Sequence, residues 1–214
     1  MIGIVDYGLG NVRAFSNIYK RLNIECAVVS SPDDLRKVGK IILPGVGSFD
    51  SAMRRLEASG FRKVLDLLVL KKCIPVLGVC VGMQVMAEGS QEGKLEGLGW
   101  IGGEVRSFNE KVRPGANEAV YRRLPLPHMG WNDIVPCKQD RLFAGLDNLI
   151  RCYFLHSYYF APDDNEAVLA VTDYGGPFAS AIRSKNIYGV QFHPEKSHGC
   201  GIQILKNFAE VRQC

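Results

Sequence analysis

Cys80 lies in Gly78-Val79-Cys80-Val81-Gly82, between an apolar run and a segment that opens a helical pattern. This is a G-x-nucleophile-x-G turn with a thiol in place of a hydroxyl. Such a turn holds its nucleophile in strained backbone, exposed above the sheet edge, and small flanking residues let neighbouring elements approach. The helix N-terminus below it favours the thiolate. The Val81 amide is free to donate to an oxyanion. A thiol also needs a base. The four histidines are His128, His156, His193 and His198, and only His193 has a carboxylate two residues on, in Gln191-Phe192-His193-Pro194-Glu195. Side chains two apart on extended chain point to one side. Glu195 can then fix the imidazole tautomer and support its charge while the other ring nitrogen takes the thiol proton. Cys80, His193 and Glu195 together suit covalent attack on an acyl carbon. The other six cysteines lack comparable surroundings and read as small hydrophobes.

The elements that must position these groups follow from hydrophobic periodicity. Residues 2–6, 26–29, 40–44 and 74–79 read as strands. Between them come a helix capped by Asn11 with Val12, Phe15, Ile18, Tyr19 and Leu22 on one face, a helix start at Ser31-Pro32-Asp33-Asp34, and helices over 48–60 and 61–72. A further helix is expected from 82–88. Strands alternating with helices predict an α/β fold, a three-layer domain with a mostly parallel central sheet flanked by helices. The second half reads as extra short antiparallel strands, at 152–160, 167–172, 178–183 and 187–192, with a terminal helix over 201–211. Residues 105–126 read as loops and a hairpin. No repeat or linker divides the chain, so residues 1–214 are expected to form one domain.

Composition excludes several classes. Hydrophobic residues make up 47% and charged residues 22%, values ordinary for a globular protein. The net charge of +4 is spread over scattered pairs such as Arg54-Arg55, Lys71-Lys72 and Arg122-Arg123, not one stripe, so neither nucleic acid nor a membrane is an expected partner. Seven cysteines without a C-x-x-C pair argue against a disulfide framework or zinc site and for a reducing compartment. No secretory signal is apparent, and no run nears the roughly 18–20 apolar residues of a membrane span. The cytoplasm is the expected location.

Three elements together resemble the class I, triad-type glutamine amidotransferases: Gly78-Val79-Cys80-Val81-Gly82-Met83-Gln84, His193-Pro194-Glu195 and the loop Pro44-Gly45-Val46-Gly47. Within that class the chain resembles the glutaminase subunits of imidazole glycerol phosphate synthases. Asp6-Tyr7-Gly8-Leu9-Gly10-Asn11, Pro44-Gly45-Val46-Gly47-Ser48-Phe49, Pro127-His128-Met129-Gly130-Trp131-Asn132 and Phe192-His193-Pro194-Glu195-Lys196-Ser197 carry that likeness. Two departures stand out: Val79 and Val81 where Ile and Leu are common, and a long polar stretch over 109–124.

The resemblance implies glutamine as substrate, Cys80 as nucleophile, His193 as base and Glu195 as its orienter. It implies an oxyanion site from Val46, Gly47 and Val81, with Gln84 and Ser157 contacting substrate. It places Asn11, Met129, Trp131, Tyr153 and Lys196 at an interface with a (β/α)8-barrel cyclase, which receives the ammonia. No metal or organic cofactor is implied. The Gly-Val-Gly loop suits a backbone flip, so the free chain is expected to be nearly inactive until partner and ligand turn it. Three alternatives stay open: a paralogous glutaminase feeding a surface-sugar amidating enzyme, a non-catalytic scaffold on the same fold, and a cysteine hydrolase of peptides or small amides.

Overall fold

The computed structural model describes residues 1–110, 125–146 and 150–213. Most of the polar 109–124 stretch, with Arg122-Arg123, lies outside the described residues. So does most of the hairpin expected over 105–126.

The parallel half follows the expected alternation, and the 187–192 strand, expected among the antiparallel ones, joins it as a parallel strand. Strands β1 (Ile2–Val5), β2 (Cys26–Val29), β3 (Lys40–Gly45), β4 (Val76–Cys80) and β12 (Ile187–Val190) line up in the order β2-β1-β3-β4-β12. All neighbours in this half are parallel. β1, β4 and β12 are buried at every residue, which matches their near-continuous apolar runs and two covered faces. The same sheet continues antiparallel through β11 (Pro177–Ser184), β10 (Val168–Asp173), β7 (His128–Pro136) and β8 (Ile150–His156). A second sheet holds β5 (Gly89–Ser90), β6 (Gly103–Ser107) and β9 (Tyr158–Pro162). No helix among the described residues is long and apolar enough to cross a membrane.

Helices pack on the sheet by the faces their periodicity sets. Helix α1 (Val12–Arg21) buries Phe15 and Tyr19, and the Asn11 side chain accepts from the Ala14 amide at its start. Helix α2 (Pro32–Leu35) is a single turn capped by Ser31. Helices α3 (Phe49–Ala58) and α4 (Phe61–Asp66) follow, and a π-type turn over Leu67–Lys71 continues α4, as the 61–72 pattern predicts. The terminal helix α6 (His198–Glu210) starts three residues earlier than expected.

Three sequence expectations need correction. The helix expected over 82–88 is one turn only, α5 (Val81–Gln84). The strand expected over 152–160 is two strands in different sheets, broken at Ser157. Residues 103–107 and 128–136 form strands that alternation did not reveal. The second carries Gly130, Asn132 and Pro136, residues that weaken a strand signal.

Asn186 ties the sheet to the π-type turn. Its buried amide donates to the carbonyls of Val69 and Ile74, both at 2.9 Å. Asn186→Ala would leave both acceptors buried without that donor, and we expect a loss of about 2–3 kcal/mol in urea unfolding.

Candidate active site

The site forms where β3, β4 and β12 end, the carboxyl edge at which parallel sheets present their ligands. Cys80 closes β4 with φ +54° and ψ −113°, a conformation that non-glycine residues rarely adopt. The strain is held by packing on both sides. A Cβ on Gly82 would stand 1.9 Å from the Leu43 carbonyl oxygen, and one on Gly45 would stand 2.3 Å from the Gly82 amide nitrogen. The flanking glycines therefore let α5 cross the backbone of β3.

His193 follows β12 and faces the thiol. Its Nδ1 lies 2.9 Å from Glu195 Oε1. The expected geometry was two residues on extended chain, but Pro194–Lys196 is a 3₁₀ turn, and the turn brings the carboxylate onto the ring. Both side chains are almost wholly buried. Burial lowers the His193 pKa, but hydrogen bonds to Cys80 and Glu195 outweigh it and raise the value to about 10. The imidazole thus holds its proton through neutral pH. Only one helical turn, α5, follows Cys80, so no long helix dipole points at the thiol. The turn is anchored to the edge of β8: the His193 amide donates to the Tyr153 carbonyl, Ser197 Oγ donates to the His193 carbonyl, and the Tyr153 amide donates to Ser197 Oγ.

A cavity of about 220 Å³ opens beside the thiol. Val46, Gly47 and Val81, the residues expected at the oxyanion, line it, as do Gln84, Ser157, Cys80 and His193. Glu92 also lines it, and its Oε2 accepts from the Phe49 amide at the start of α3. Sequence reading missed Glu92, whose polar turn carries no local signal. It missed Gln191 as well, although that residue stands two before His193. Gln191 Nε2 points at Cys80 Sγ at 3.6 Å and Gln191 Oε1 accepts from Gln84 Nε2 at 3.1 Å. Gln84 Nε2 also donates to the Tyr158 carbonyl, so both of its N–H groups are engaged. Tyr7 donates from its hydroxyl to the Pro44 carbonyl and pins the start of the 44–47 loop.

The polar chain extends away from the thiol. His156 Nδ1 bonds the same Tyr158 carbonyl at 2.8 Å, His128 Nδ1 lies 3.0 Å from His156 Nε2, and Asn132 Nδ2 lies 3.2 Å from His128 Nε2. Burial between the Phe154 and Tyr174 rings lowers the His128 pKa to about 4. The unfolded chain takes this proton near the ordinary histidine value of 6.5, so the contribution of His128 is full above pH 6.5 and is lost as pH falls toward 4. The difference is on the order of 3 kcal/mol. Carboxylates titrate over the same range. The expected result is therefore a smaller loss of stability from pH 7 to pH 4.5 in His128→Phe than in the parent, measured by urea midpoints.

Four of the five expected interface residues share one surface. Met129 and Trp131 are exposed on β7, at 66% and 42%. Trp131 meets Tyr153 edge-on across the β7–β8 pair and stacks on His198, and Lys196 Nζ sits 5.5 Å from the Tyr153 ring centroid. Asn11 is exposed at the start of α1, a helix that packs against the Pro194–Lys196 turn, and it adjoins Gly10, which packs on Pro44.

Comparison with known proteins agrees with this geometry. The family "Glutamine amidotransferase class-I" matches residues 3–211. The imidazole glycerol phosphate synthase subunit HisH of Bdellovibrio bacteriovorus is 52% identical over 99% of this chain and 100% of its own length. That of Leptospira interrogans is 48% identical over the same shares, and a protein named subunit HisH 2 in Pseudomonas aeruginosa is 40% identical, again over 99% and 100%. A crystal structure of a glutamine amidotransferase superposes with a TM-score of 0.72 at 19% identity, over 98% of this chain and 99% of the other. A chain in the structure of PurLQS from Thermotoga maritima gives 0.71 at 17% identity, over 98% and 97%.

Proposed function

We propose, since the chain belongs to the class-I glutamine amidotransferase family, that it is the glutaminase subunit of an imidazole glycerol phosphate synthase in histidine biosynthesis. The observation that carries the reading is the end-to-end identity of 52% to a protein of that name. Residues 1–214 act as one amidotransferase domain in the cytoplasm. The chain hydrolyses glutamine to glutamate and ammonia. A (β/α)8-barrel cyclase takes up the ammonia and forms imidazole glycerol phosphate and the aminoimidazole carboxamide ribotide.

The chemistry follows from the site. Glutamine enters the cavity with its side-chain amide against Cys80. The Glu92 carboxylate and the Gln84 oxygen suit the α-ammonium, and Ser157 offers a further polar contact. The thiolate attacks the amide carbon, the C–S bond forms, and the carbonyl electron pair moves to oxygen. That oxyanion is held by amides of Val81 and of the Val46–Gly47 loop, each such donor being worth roughly 2.7–4 kcal/mol. His193 gives its proton to the amide nitrogen, the C–N bond breaks, and ammonia leaves. Water then attacks the thioester while His193 takes a proton from it. The C–S bond breaks, glutamate departs, and the thiolate–imidazolium pair is restored.

The loop that completes the oxyanion site has a fixed end and a free end. Gly45 is wedged against α5, whereas Gly47 has φ +86° and nothing within 4 Å of the position a Cβ would take. The positive φ and open surroundings of Gly47 suit a backbone flip, and this supports activation by partner and ligand. The surface of Met129, Trp131, Tyr153 and Lys196, with Asn11, receives the cyclase. A closed interface keeps ammonia from protonating in bulk water.

The test is glutamate release from the purified chain alone and with a matched cyclase and its ribotide ligand, with Cys80→Ala as control. A large, Cys80-dependent rise on adding both supports the reading. No rise, with glutamine still protecting Cys80 from alkylation, assigns the ammonia to another synthase.

A further inference from the structure

Two cysteines that the glutaminase chemistry leaves unused stand side by side. Cys152 on β8 is fully buried, Cys200 in the first turn of α6 is partly exposed, and their Sγ atoms are 3.2 Å apart. We propose that Cys152 and Cys200 form a reversible dithiol–disulfide site whose oxidising substrate is a small-molecule disulfide of the glutathione type. A disulfide bond is about 2.05 Å long, so the two sulfurs need to close by only about 1.2 Å. Cys200 can make that movement from the partly exposed end of the pair.

The two thiols divide the work as exchange chemistry requires. Cys200 is the partly exposed residue of the pair, and the hydrogen bond with Cys152 lowers its pKa against the opposing effect of burial. Cys152 shifts the opposite way, raised first by that hydrogen bond and then by burial. Reactive cysteines are low in pKa, accessible and set beside a resolving thiol. In the first step the Cys200 thiolate attacks one sulfur of oxidised glutathione. The glutathione S–S bond breaks, one glutathione thiolate leaves, and a mixed disulfide forms on Cys200. In the second step Cys152 gives up its proton and attacks Cys200 Sγ, and the second glutathione thiolate leaves and is protonated. Two protein thiols are oxidised, and one glutathione disulfide is reduced to two thiols.

The position gives the bond a consequence. Ser197, three residues before Cys200, holds the His193 carbonyl and the Tyr153 amide, and Tyr153 follows Cys152. A Cys152–Cys200 bond therefore staples β8 to the helix start that carries this clamp.

The experiment equilibrates the full chain with graded ratios of reduced to oxidised glutathione, quenches with acid, alkylates the free thiols and maps peptides by mass spectrometry. The expected result is one linked peptide pair holding Cys152 and Cys200, lost on adding dithiothreitol. Its formation should be accompanied by an upward shift of the thermal midpoint. In Cys200→Ser the linked pair is absent and Cys152 is recovered alkylated after unfolding. The proposal is overturned if Cys200 keeps a stable glutathione adduct while Cys152 stays free, or if both stay free at ratios that modify the exposed Cys137. Neither readout depends on glutaminase activity.

Discussion

Glu195→Gln is expected to lower glutamine hydrolysis by about 10⁴-fold with the fold intact, the scale seen when a triad carboxylate becomes an amide. The reason is in the site. Glu195 Oε1 is 2.9 Å from His193 Nδ1, and its other oxygen is buried without a hydrogen-bond partner among the described residues. Its charge is therefore directed at one imidazole. An amide there removes the charge, and an amide nitrogen facing Nδ1 forces the ring into the tautomer that cannot take a proton on the side of Cys80. The same change deletes one of the hydrogen bonds that raise the His193 pKa, so the imidazole sheds its proton at lower pH. The rate is read as glutamate release in the assembled complex, and folding as the urea midpoint. A loss smaller than tenfold would take Glu195 out of the mechanism.

Gly82→Ala is expected to cost stability rather than chemistry. The added methyl would stand 1.9 Å from the Leu43 carbonyl oxygen and 2.9 Å from its carbon, and both belong to the backbone of a buried central strand. No side chain can rotate to relieve the contact. Overpacking of this kind costs about 3 kcal/mol or more, and for a chain of this size that lowers the thermal midpoint by about 6–12 °C. Gly89→Ala serves as the control, because its methyl would meet nothing within 4 Å. Equal midpoints in the two variants would show that α5 does not depend on the close crossing.

The parallel half of the fold could be read in the sequence because most of its strands are buried on both faces and so appear as unbroken apolar runs. The antiparallel half was harder. β7 alternates apolar and polar residues only loosely, and its exposed Met129, Trp131 and Val135 face outward, where burial cannot explain them. The break at Ser157 was invisible because the residues on either side are equally suited to a strand; tertiary pairing, not local preference, sends them to different sheets. The meeting of Cys80, His193 and Glu195 was readable because its signals are local: an elbow around Cys80 and a carboxylate two residues from His193. Glu92, Gln191 and Tyr7 were not, because each reaches the site across a long sequence separation. The 44–47 loop was found only through family resemblance, since glycines around one valine look like any turn.

The anchoring of the His193 turn on Tyr153 has a further result. β8 ends the nine-stranded sheet, and the outermost strand of a sheet offers unpaired amides and carbonyls to any other chain. Here the His193 amide and the Ser197 hydroxyl occupy the free backbone groups of Tyr153. The segment that carries His193 thus also guards the sheet against edge-to-edge association. Changes that loosen it would be felt as aggregation during expression as well as in turnover.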